Sequence, residues 1–106
     1  MRPGPDLPAG AFVIDPVFGR AVVVPDRILM KIRADHGAYF TPRRDVILNA
    51  LAHAHGHSPD PRDGRHRYWH RVPERRRRVF IVVDYDQRSI GQVLTAFPRR
   101  RLPRIP

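Results

Sequence analysis

Cysteine is absent from the 106 residues of this chain. Its absence excludes disulfides, thiol nucleophiles and zinc sites with thiolate ligands. The sequence also lacks a run of about 18 apolar residues, the length that a membrane-spanning helix needs. Its N-terminus lacks the basic, apolar and small-residue segments of a signal peptide. We therefore expect a soluble chain without a membrane span.

Lysine is nearly absent as well, because nineteen of the twenty basic residues are arginine. Only ten acidic residues oppose them, which leaves a formal net charge of +10. A small domain with this charge attracts polyanions, above all nucleic acid. Arginine suits that role because its planar guanidinium group pairs with phosphate at two points and stacks on bases. Two alternatives stay open: an acidic protein partner, or a compositional bias toward Arg, Ala and Pro without any partner.

The length of the chain allows one domain with a modest core, and an apolar content of 42% supports a globular fold. Residues 1–10 contain three prolines and two glycines and are predicted to be a flexible leader. Residues 11–98 are predicted to form the single domain. Residues 99–106, in which Arg and Pro roughly alternate, are predicted to be a basic exposed tail.

The first third of the domain predicts a hairpin followed by a helix. Residues 12–14 and 21–24 are short β-prone runs separated by a turn-prone segment. From Asp26 onward apolar residues recur at helical spacing, and this helix is expected to end before Gly37. That places His36 at the C-terminal end of a short helix.

A second helix is predicted from its terminal residues. Thr41 suits the N-cap, Pro42 suits the first helical position, and Gly56 suits the position just past the end. One apolar stripe along this helix is expected to lie on a sheet; it comprises Val46, Ile47, Ala50, Leu51 and Ala54. Residues 56–64, with two prolines and two glycines, are predicted to be a loop.

The last third of the domain predicts three strands. Alternation over residues 65–72 indicates a strand with one strongly basic face, carrying Arg65, Arg67, Trp69 and Arg71. Residues 79–83 form an unbroken apolar run typical of a central strand, and residues 90–97 form the last strand. We therefore expect an α+β fold, with two N-terminal helices on one face of a small antiparallel sheet. That sheet would be a three-stranded C-terminal meander, with the N-terminal hairpin as a candidate addition.

His36, Arg43 and Arg44 are candidates for a phosphate site with a proton carrier. The backbone amides at a helix N-terminus favour an anion, and two guanidinium groups there would complete its binding site. A histidine beside it can transfer protons near neutral pH. The plain alternative is a histidine that ends a helix and two solvated arginines.

The strand over residues 65–72 is a candidate RNA-binding element. Aromatic residues interleaved with cations bind single-stranded RNA through base stacking and neutralisation of the backbone. The residues with these properties are Arg65, Arg67, Tyr68, Trp69 and Arg71. The alternative is that Tyr68 and Trp69 fill the core, although alternation predicts that they point to opposite faces.

His53, His55 and His57 invite a metal-binding interpretation. On a helix, however, side chains two residues apart lie about 200° apart and cannot share an ion, so only an extended conformation would bring them together. The competing interpretation is that these histidines are favoured by the dipole at a helix C-terminus. We expect no metal and no cofactor.

The final strand carries a family resemblance. The sequence Val-Leu-Thr-Ala-Phe-Pro at residues 93–98, after a Val-rich strand and an Asp-containing turn, resembles the end of the bacterial ribonuclease toxins of the barnase, EndoU, colicin and RelE superfamily. It is most similar to C-terminal toxin domains of contact-dependent inhibition and other polymorphic toxin systems. The resemblance covers residues 27–98, and its specific part is residues 79–98. His36 with Arg43 and Arg44 falls where that family has its upstream histidine and arginine.

The resemblance implies metal-independent cleavage of RNA, often tRNA. The ribose 2′-hydroxyl attacks the adjacent phosphorus and leaves a 2′,3′-cyclic phosphate and a 5′-hydroxyl. It implies His36 as general acid or base, Arg43 or Arg44 as the phosphorane clamp, and Thr95 as a hydroxyl that bonds the phosphate, with His70 or Tyr68 as the second proton-transfer group. Phe97 stands where some relatives have tyrosine, so a role for that hydroxyl is absent.

The face to which Thr95 points decides its role. Alternation groups it with Gly91, Val93 and Phe97, and apolarity does not decide whether that face meets the helices. If it does, Thr95 is a structural β-branched residue; if it faces a groove, a catalytic role is expected.

The resemblance also implies a partner and a place of action. The partner is an acidic immunity protein or antitoxin that neutralises the toxin in its producer. Action is expected in the bacterial cytoplasm, either after delivery as the C-terminal part of a secreted effector or as one half of a toxin–antitoxin pair. A non-catalytic RNA- or DNA-binding module using the same basic face is the alternative function.

Overall fold

The computed structural model describes residues 5–36, 43–72, 77–85 and 90–99, and for His36, Val72, Arg77 and Arg99 it describes the backbone only. These residues form an α+β fold of two helices and six strands, which confirms the predicted class. Along the chain the elements are β1 (Phe12–Ile14), β2 (Ala21–Val23), α1 (Asp26–His36), α2 (Arg44–Ala52), β3 (Gly56–Pro59), β4 (Arg65–Val72), β5 (Arg77–Asp84) and β6 (Gly91–Arg99).

The strands form one mixed sheet in the order β1-β2-β6-β5-β4-β3. Pairs β1/β2, β3/β4, β4/β5 and β5/β6 are antiparallel, whereas β2 and β6 are parallel. The prediction of an antiparallel sheet with N-terminal helices is therefore wrong in detail. The helices lie between β2 and β3, and they carry the chain to the far edge of the sheet. The chain then returns strand by strand until β6 lies beside β2.

The predicted loop over residues 56–64 is a strand and a turn. Gly56–Pro59 form β3, the edge strand beside β4, so the C-terminal meander has four strands rather than three. Proline lacks the N–H group that a central strand needs, but an edge strand tolerates it. Gly56 consequently lies in β3 and does not end α2.

One helix has the predicted bounds, and the other does not. α1 spans the predicted residues, from Asp26 to His36. α2 has Arg43 at its N-cap with no side-chain cap bond, while Thr41 and Pro42 lie outside the described residues. The two helices within the described ranges have 11 and 9 residues, too short to cross a bilayer.

Both helices pack on one face of the sheet around a single core. The predicted stripe on α2 is partly right, since Ile47, Ala50 and Leu51 are buried. Val46, however, is 39% exposed, and Leu48, which the stripe omits, is 1% exposed. α2 contacts β1, β4 and β5, so its buried face is broader than the predicted stripe and is rotated away from Val46.

We call the side of the sheet under the helices the covered face and the other side the open face. On β5 the covered face has Val79, Ile81 and Val83, and the open face has Phe80, Val82 and Asp84. Cross-strand partners share a face. Tyr68 opposite Ile81 therefore lies on the covered face, and Trp69 opposite Phe80 on the open face, which confirms the alternation predicted for β4.

A β-bulge decides where Thr95 points. Val82 pairs with Thr95 and Val83 pairs with Val93, so Leu94 is an extra residue in β6. The bulge reverses the alternation beyond it. Gly91 and Val93 lie on the covered face, whereas Thr95 and Phe97 lie on the open face. The expectation that all four share one face is wrong because simple alternation assumes an unbroken ladder.

Candidate functional site

A row of aromatic side chains crosses the open face. Gly56, Trp69, Phe80 and Phe97 are consecutive cross-strand partners on β3, β4, β5 and β6. The ring centroids of Trp69 and Phe80 are 5.9 Å apart, and those of Phe80 and Phe97 are 5.8 Å apart with nearly parallel planes. A Cβ atom on Gly56 would lie 2.3 Å from indole atoms of Trp69. The indole therefore lies over β3, in space that only glycine leaves free.

Arginine residues flank this aromatic row on both sides. On one side Arg71 pairs with Arg78, and Arg78 with Arg99 in β6. On the other side Arg67 pairs with Val82, which pairs with Thr95. Arg67 donates a hydrogen bond to the carbonyl oxygen of Pro59 at 3.3 Å, while its Nε is buried with no hydrogen-bond partner within the described residues.

The predicted RNA-binding residues divide between the two faces. Arg65, Arg67, Trp69 and Arg71 all lie on the open face, as predicted. Tyr68 does not, because it is 0% exposed and lies in the core. Its side chain cannot stack on a base.

Tyr68 belongs to a buried hydrogen-bonded group instead. Its hydroxyl lies 2.6 Å from that of Tyr85 and donates to Oδ1 of Asp15 at 3.4 Å. Burial raises the pKa of both tyrosines above the usual value of 10.0. Both hydroxyls therefore stay protonated near neutral pH, which leaves Tyr68 unsuited to act as a base.

The predicted catalytic residues are not brought together. Thr95 lies on the open face, whereas Arg43 and Arg44 begin α2 on the covered side. His70 is opposite Val79 on the covered side of β4, and its Nδ1 donates to the carbonyl oxygen of His53 at 2.9 Å. His36 is the last residue of α1, and its side chain is outside the described set. The sheet thus separates Thr95 from Arg43, Arg44 and His70.

Arg44 makes its contacts inside the fold. It is 4% exposed, and its guanidinium group donates to the carbonyl oxygens of Val24 at 3.0 Å and Leu7 at 2.9 Å. It also forms an ion pair with Asp26, the first residue of α1. Arg44 therefore joins the N-terminal segment, β2 and both helices from inside the molecule, where a substrate phosphate does not reach it.

A carboxylate already occupies the N-terminus of α2. Asp6 accepts hydrogen bonds from the backbone N–H groups of Arg44 at 2.9 Å and Asp45 at 3.0 Å. Burial opposes ionisation of Asp6, but these bonds outweigh it and lower the pKa of the carboxyl group below 3.8. Arg43 pairs with Asp45 at 3.0 Å. The predicted phosphate position is therefore taken by a residue from the segment expected to be a flexible leader.

The histidines at residues 53, 55 and 57 do not converge. His53 donates from Nδ1 to the carbonyl oxygen of Asn49 at 3.1 Å, and His55 accepts at Nδ1 from the N–H of Arg71 at 2.9 Å. The ring of His55 also stacks on His70, with centroids 4.8 Å apart. Within the ranges that the structure describes, no three His, Asp or Glu residues are placed to hold a metal ion.

His57 is engaged elsewhere, with a histidine on the neighbouring strand β4. Its Nδ1 lies 2.9 Å from Nε2 of His66, and the two ring centroids are 5.1 Å apart. His66 is 6% exposed, whereas His57 is exposed. They are diagonal neighbours on paired strands, since His57 is opposite Tyr68 and His66 is opposite Pro59. A hairpin prediction over residues 56–72 would indicate this pair, but the prolines and glycines of residues 56–64 predict a loop before the strand at residues 65–72.

The histidine pair borders a pocket of about 620 Å³. Arg20 and the β3–β4 turn contribute charged walls, including Arg62, Asp60 and Asp63. Phe18 meets the ring of His66 edge-on at 5.1 Å, and Tyr85 also lines the pocket. Oδ1 of Asp60 accepts a hydrogen bond from the N–H of Arg62 at 3.0 Å, which fixes the turn. The pocket thus joins a proton-carrying pair to cationic side chains at the surface.

Comparisons with known proteins supply no relative for this arrangement. A scan of protein-family models, a search of curated proteins and a search of solved structures each found no match. Function therefore has to be inferred from the residues and their geometry.

Proposed function

We propose that this chain is a metal-independent endoribonuclease that binds single-stranded RNA on the open face of its sheet. The observation that carries the proposal is the aromatic row of Trp69, Phe80 and Phe97, with a row of arginines on one side and Arg67 on the other. A net charge of +10 gives long-range attraction to a polyanion, and the open face gives it a specific place to bind.

The side chains of the open face suit single-stranded RNA. Bases stack on aromatic side chains with about 1–3 kcal/mol each, and arginines neutralise the phosphates between them. A double helix hides its bases, so it offers an aromatic row little to bind. Trp69 and Phe97 are the partly exposed rings of the row and are the stacking surfaces in this proposal.

The proposed reaction is attack of the ribose 2′-hydroxyl on the adjacent phosphorus, with release of a 5′-hydroxyl. It is supported by the resemblance of residues 79–98 to ribonuclease toxins and needs no metal. Thr95 lies on the open face beside the aromatic row and is proposed to donate a hydrogen bond to a backbone phosphate of the strand bound there. In the same proposal tRNA is the substrate class, and an acidic immunity protein or antitoxin neutralises the enzyme.

The direct test is incubation of the purified protein with total tRNA in excess EDTA. We expect discrete fragments that end in 2′,3′-cyclic phosphate, read by mass spectrometry and by resistance to polyadenylation. A matched oligonucleotide with 2′-deoxyribose throughout should stay intact, because it lacks the attacking hydroxyl. Intact tRNA, messenger RNA and ribosomal RNA after long incubation would overturn the cleavage proposal.

A non-catalytic RNA- or DNA-binding module is the second candidate, because the open face can bind without any catalytic group. It predicts affinity that falls with salt, by a slope of about 0.7 per phosphate contacted on a single strand, and no cleavage. Arg67→Gln and Arg71→Gln should each reduce that slope, whereas Arg27→Gln on α1 should not. Binding with this pattern but without any fragments would select the second candidate.

A further inference from the structure

The pair of His57 and His66 lies apart from the open face and takes no part in RNA stacking. Both residues point to the covered side of the β3–β4 hairpin, at the border of the 620 Å³ pocket. One ring is exposed and the other is buried, and a direct hydrogen bond of 2.9 Å joins them. An exposed imidazole held by a buried partner is an arrangement suited to proton transfer.

We propose that His57 is the general base of the ribonuclease, that His66 holds it in the active tautomer, and that the pocket receives the ribose and phosphate at the cleaved bond. This inference rests on the proposed function and names a catalytic site for it.

The hydrogen bond allows either ring to be the donor, and the proposed base requires Nδ1 of His57 to donate to Nε2 of His66. If Nδ1 of His57 carries the proton and donates to Nε2 of His66, then Nε2 of His57 has a free lone pair toward the pocket. His66 must then be neutral, with its own proton on Nδ1. Burial, the adjacent His57 and Arg67 lower the pKa of His66, while Asp15 opposes them, so the neutral form is favoured. His66 is therefore a positioning residue that acts through its hydrogen bond to His57.

The groups that face the pair come from every neighbouring element. Tyr68 from β4 and Phe18 from the β1–β2 turn contact the ring of His66, and Tyr85 contacts Phe18. Asp15 lies at the start of that turn, and the buried hydroxyls of Tyr68 and Tyr85 stay protonated. Among these groups only His57 is an exposed imidazole at the border of the pocket.

The proton transfer balances without a metal or second reactant. Nε2 of His57 takes the proton of the 2′-hydroxyl as the O2′–P bond forms. The P–O5′ bond breaks, and O5′ takes a proton from water. The imidazolium ion then returns its proton to solvent. The charge on phosphorus is countered by Arg20 and Arg62, whose guanidinium groups have no bonded partner within the part of the chain that the structure describes.

The first test is substitution of exposed histidines in the full chain. His57→Ala should reduce cleavage of tRNA by about 10²- to 10⁴-fold, the usual contribution of a general base. His53→Ala is the matched control, because His53 is also exposed but lies at the end of α2 away from the pocket. RNA binding in EDTA should be unchanged in both variants, since the open face is intact.

The second test separates positioning from folding. His66→Leu should slow cleavage and shift the acid limb of the pH–rate profile to lower pH, because the imidazolium of His57 loses its hydrogen-bond acceptor. His66→Gln keeps an acceptor and should recover part of the rate. If His66 had only a structural role, His66→Leu would change the amount of folded protein but would leave the acid limb of the pH–rate profile unchanged.

A third measurement does not depend on cleavage. In ¹⁵N-edited NMR spectra, nucleoside 3′-monophosphates should shift the imidazole signals of His57 and His66 but not those of His53. If His57→Ala cleaves tRNA at the wild-type rate, or if 3′-monophosphates shift neither imidazole, the inference is overturned. The proposed function would still stand in both cases. Absence of cleavage by the wild type would instead remove the proposed function, and with it the catalytic role of His57.

Discussion

The covered and open faces of the sheet are built from alternate residues of the same strands, yet they differ in chemistry. The covered face of β5 is Val79, Ile81 and Val83 and is sealed by two helices. The open face of the same region combines aromatic rings with arginines. One face therefore supplies the burial that folds the chain, and the other presents the groups that attract a polyanion.

The difference shows that apolar content alone does not identify the core of this protein. Phe80 is 3% exposed, as little as residues under the helices, but it lies between Trp69 and Phe97 on the open face. The ring of Phe80 packs between two aromatic neighbours on the face opposite α1 and α2. Substitutions on the two faces should therefore separate effects on folding from effects on RNA binding.

The largest effect on stability is expected at consecutive residues of β5. Ile81→Ala on the covered face should lower the free energy of unfolding by about 2–5 kcal/mol, because it leaves a cavity in the core. Val82→Ala on the open face should cost less, since Val82 is only partly buried. Urea denaturation measures both changes. Equal losses would show that the open face is packed as tightly as the core.

A smaller effect on stability is expected at Arg44. Arg44→Met should destabilise the fold by about 1–3 kcal/mol, because buried carbonyl groups lose their donor. Arg43→Met should cost at most about 1 kcal/mol, the value of a surface ion pair. Cleavage per folded molecule should be unchanged for Arg44→Met. A selective loss of cleavage with normal stability would restore Arg44 as a phosphate ligand.

RNA affinity should depend on the indole of Trp69. Trp69→Ala should weaken binding of single-stranded RNA by about 1–3 kcal/mol, the value of one stacked base. Gly56→Ala should weaken it less, because the added Cβ would displace the indole from its place over β3. Met30→Ala removes an exposed apolar side chain on α1 and serves as the control. Fluorescence anisotropy measures all three, and equal affinities throughout would place the RNA elsewhere.

The smallest effect is the pH dependence of stability. The pKa of His66 is lowered below 6.5 by burial and by His57, so the unfolded chain binds this proton more readily. The stability that depends on neutral His66 should therefore be fully present above about pH 6.5. It should be lost as the pH falls through the lower pKa that His66 has in the folded chain. His66→Leu should remove this step, and His53→Ala should keep it. Urea midpoints that do not change below pH 7 would contradict the expected burial of His66.

A second acid step is expected from Asp15. Burial alone would raise the pKa of Asp15, but hydrogen bonds from the N–H groups of Phe18, Arg20 and Val17 lower it below 3.8. The stability that this carboxylate contributes is therefore present above about pH 4 and lost at lower pH. Asp15→Asn should reduce stability at neutral pH and flatten the loss below pH 4 in the same urea titration.

Local patterns predicted the parts of the fold that depend on neighbours in sequence. The bounds of α1, the N-terminal hairpin and the alternation of β4 follow from periodicity and turn residues, and the structure confirms them. β3 was missed because Gly56 and Pro59 are poor strand residues, and pairing with β4 overrides that preference. The N-terminus of α2 is occupied by Asp6, a residue too distant in sequence for any capping pattern to indicate.

The sequence by itself determined the charge, the lack of thiols and the basic face of β4. The placement of Thr95 depended on a bulge at Leu94, which has no signature in the local alternation. The pairing of His57 with His66 likewise depended on the register between β3 and β4. Register and bulges follow from how all strands share one core, so only the tertiary structure could place the open face of the sheet apart from the histidine pocket.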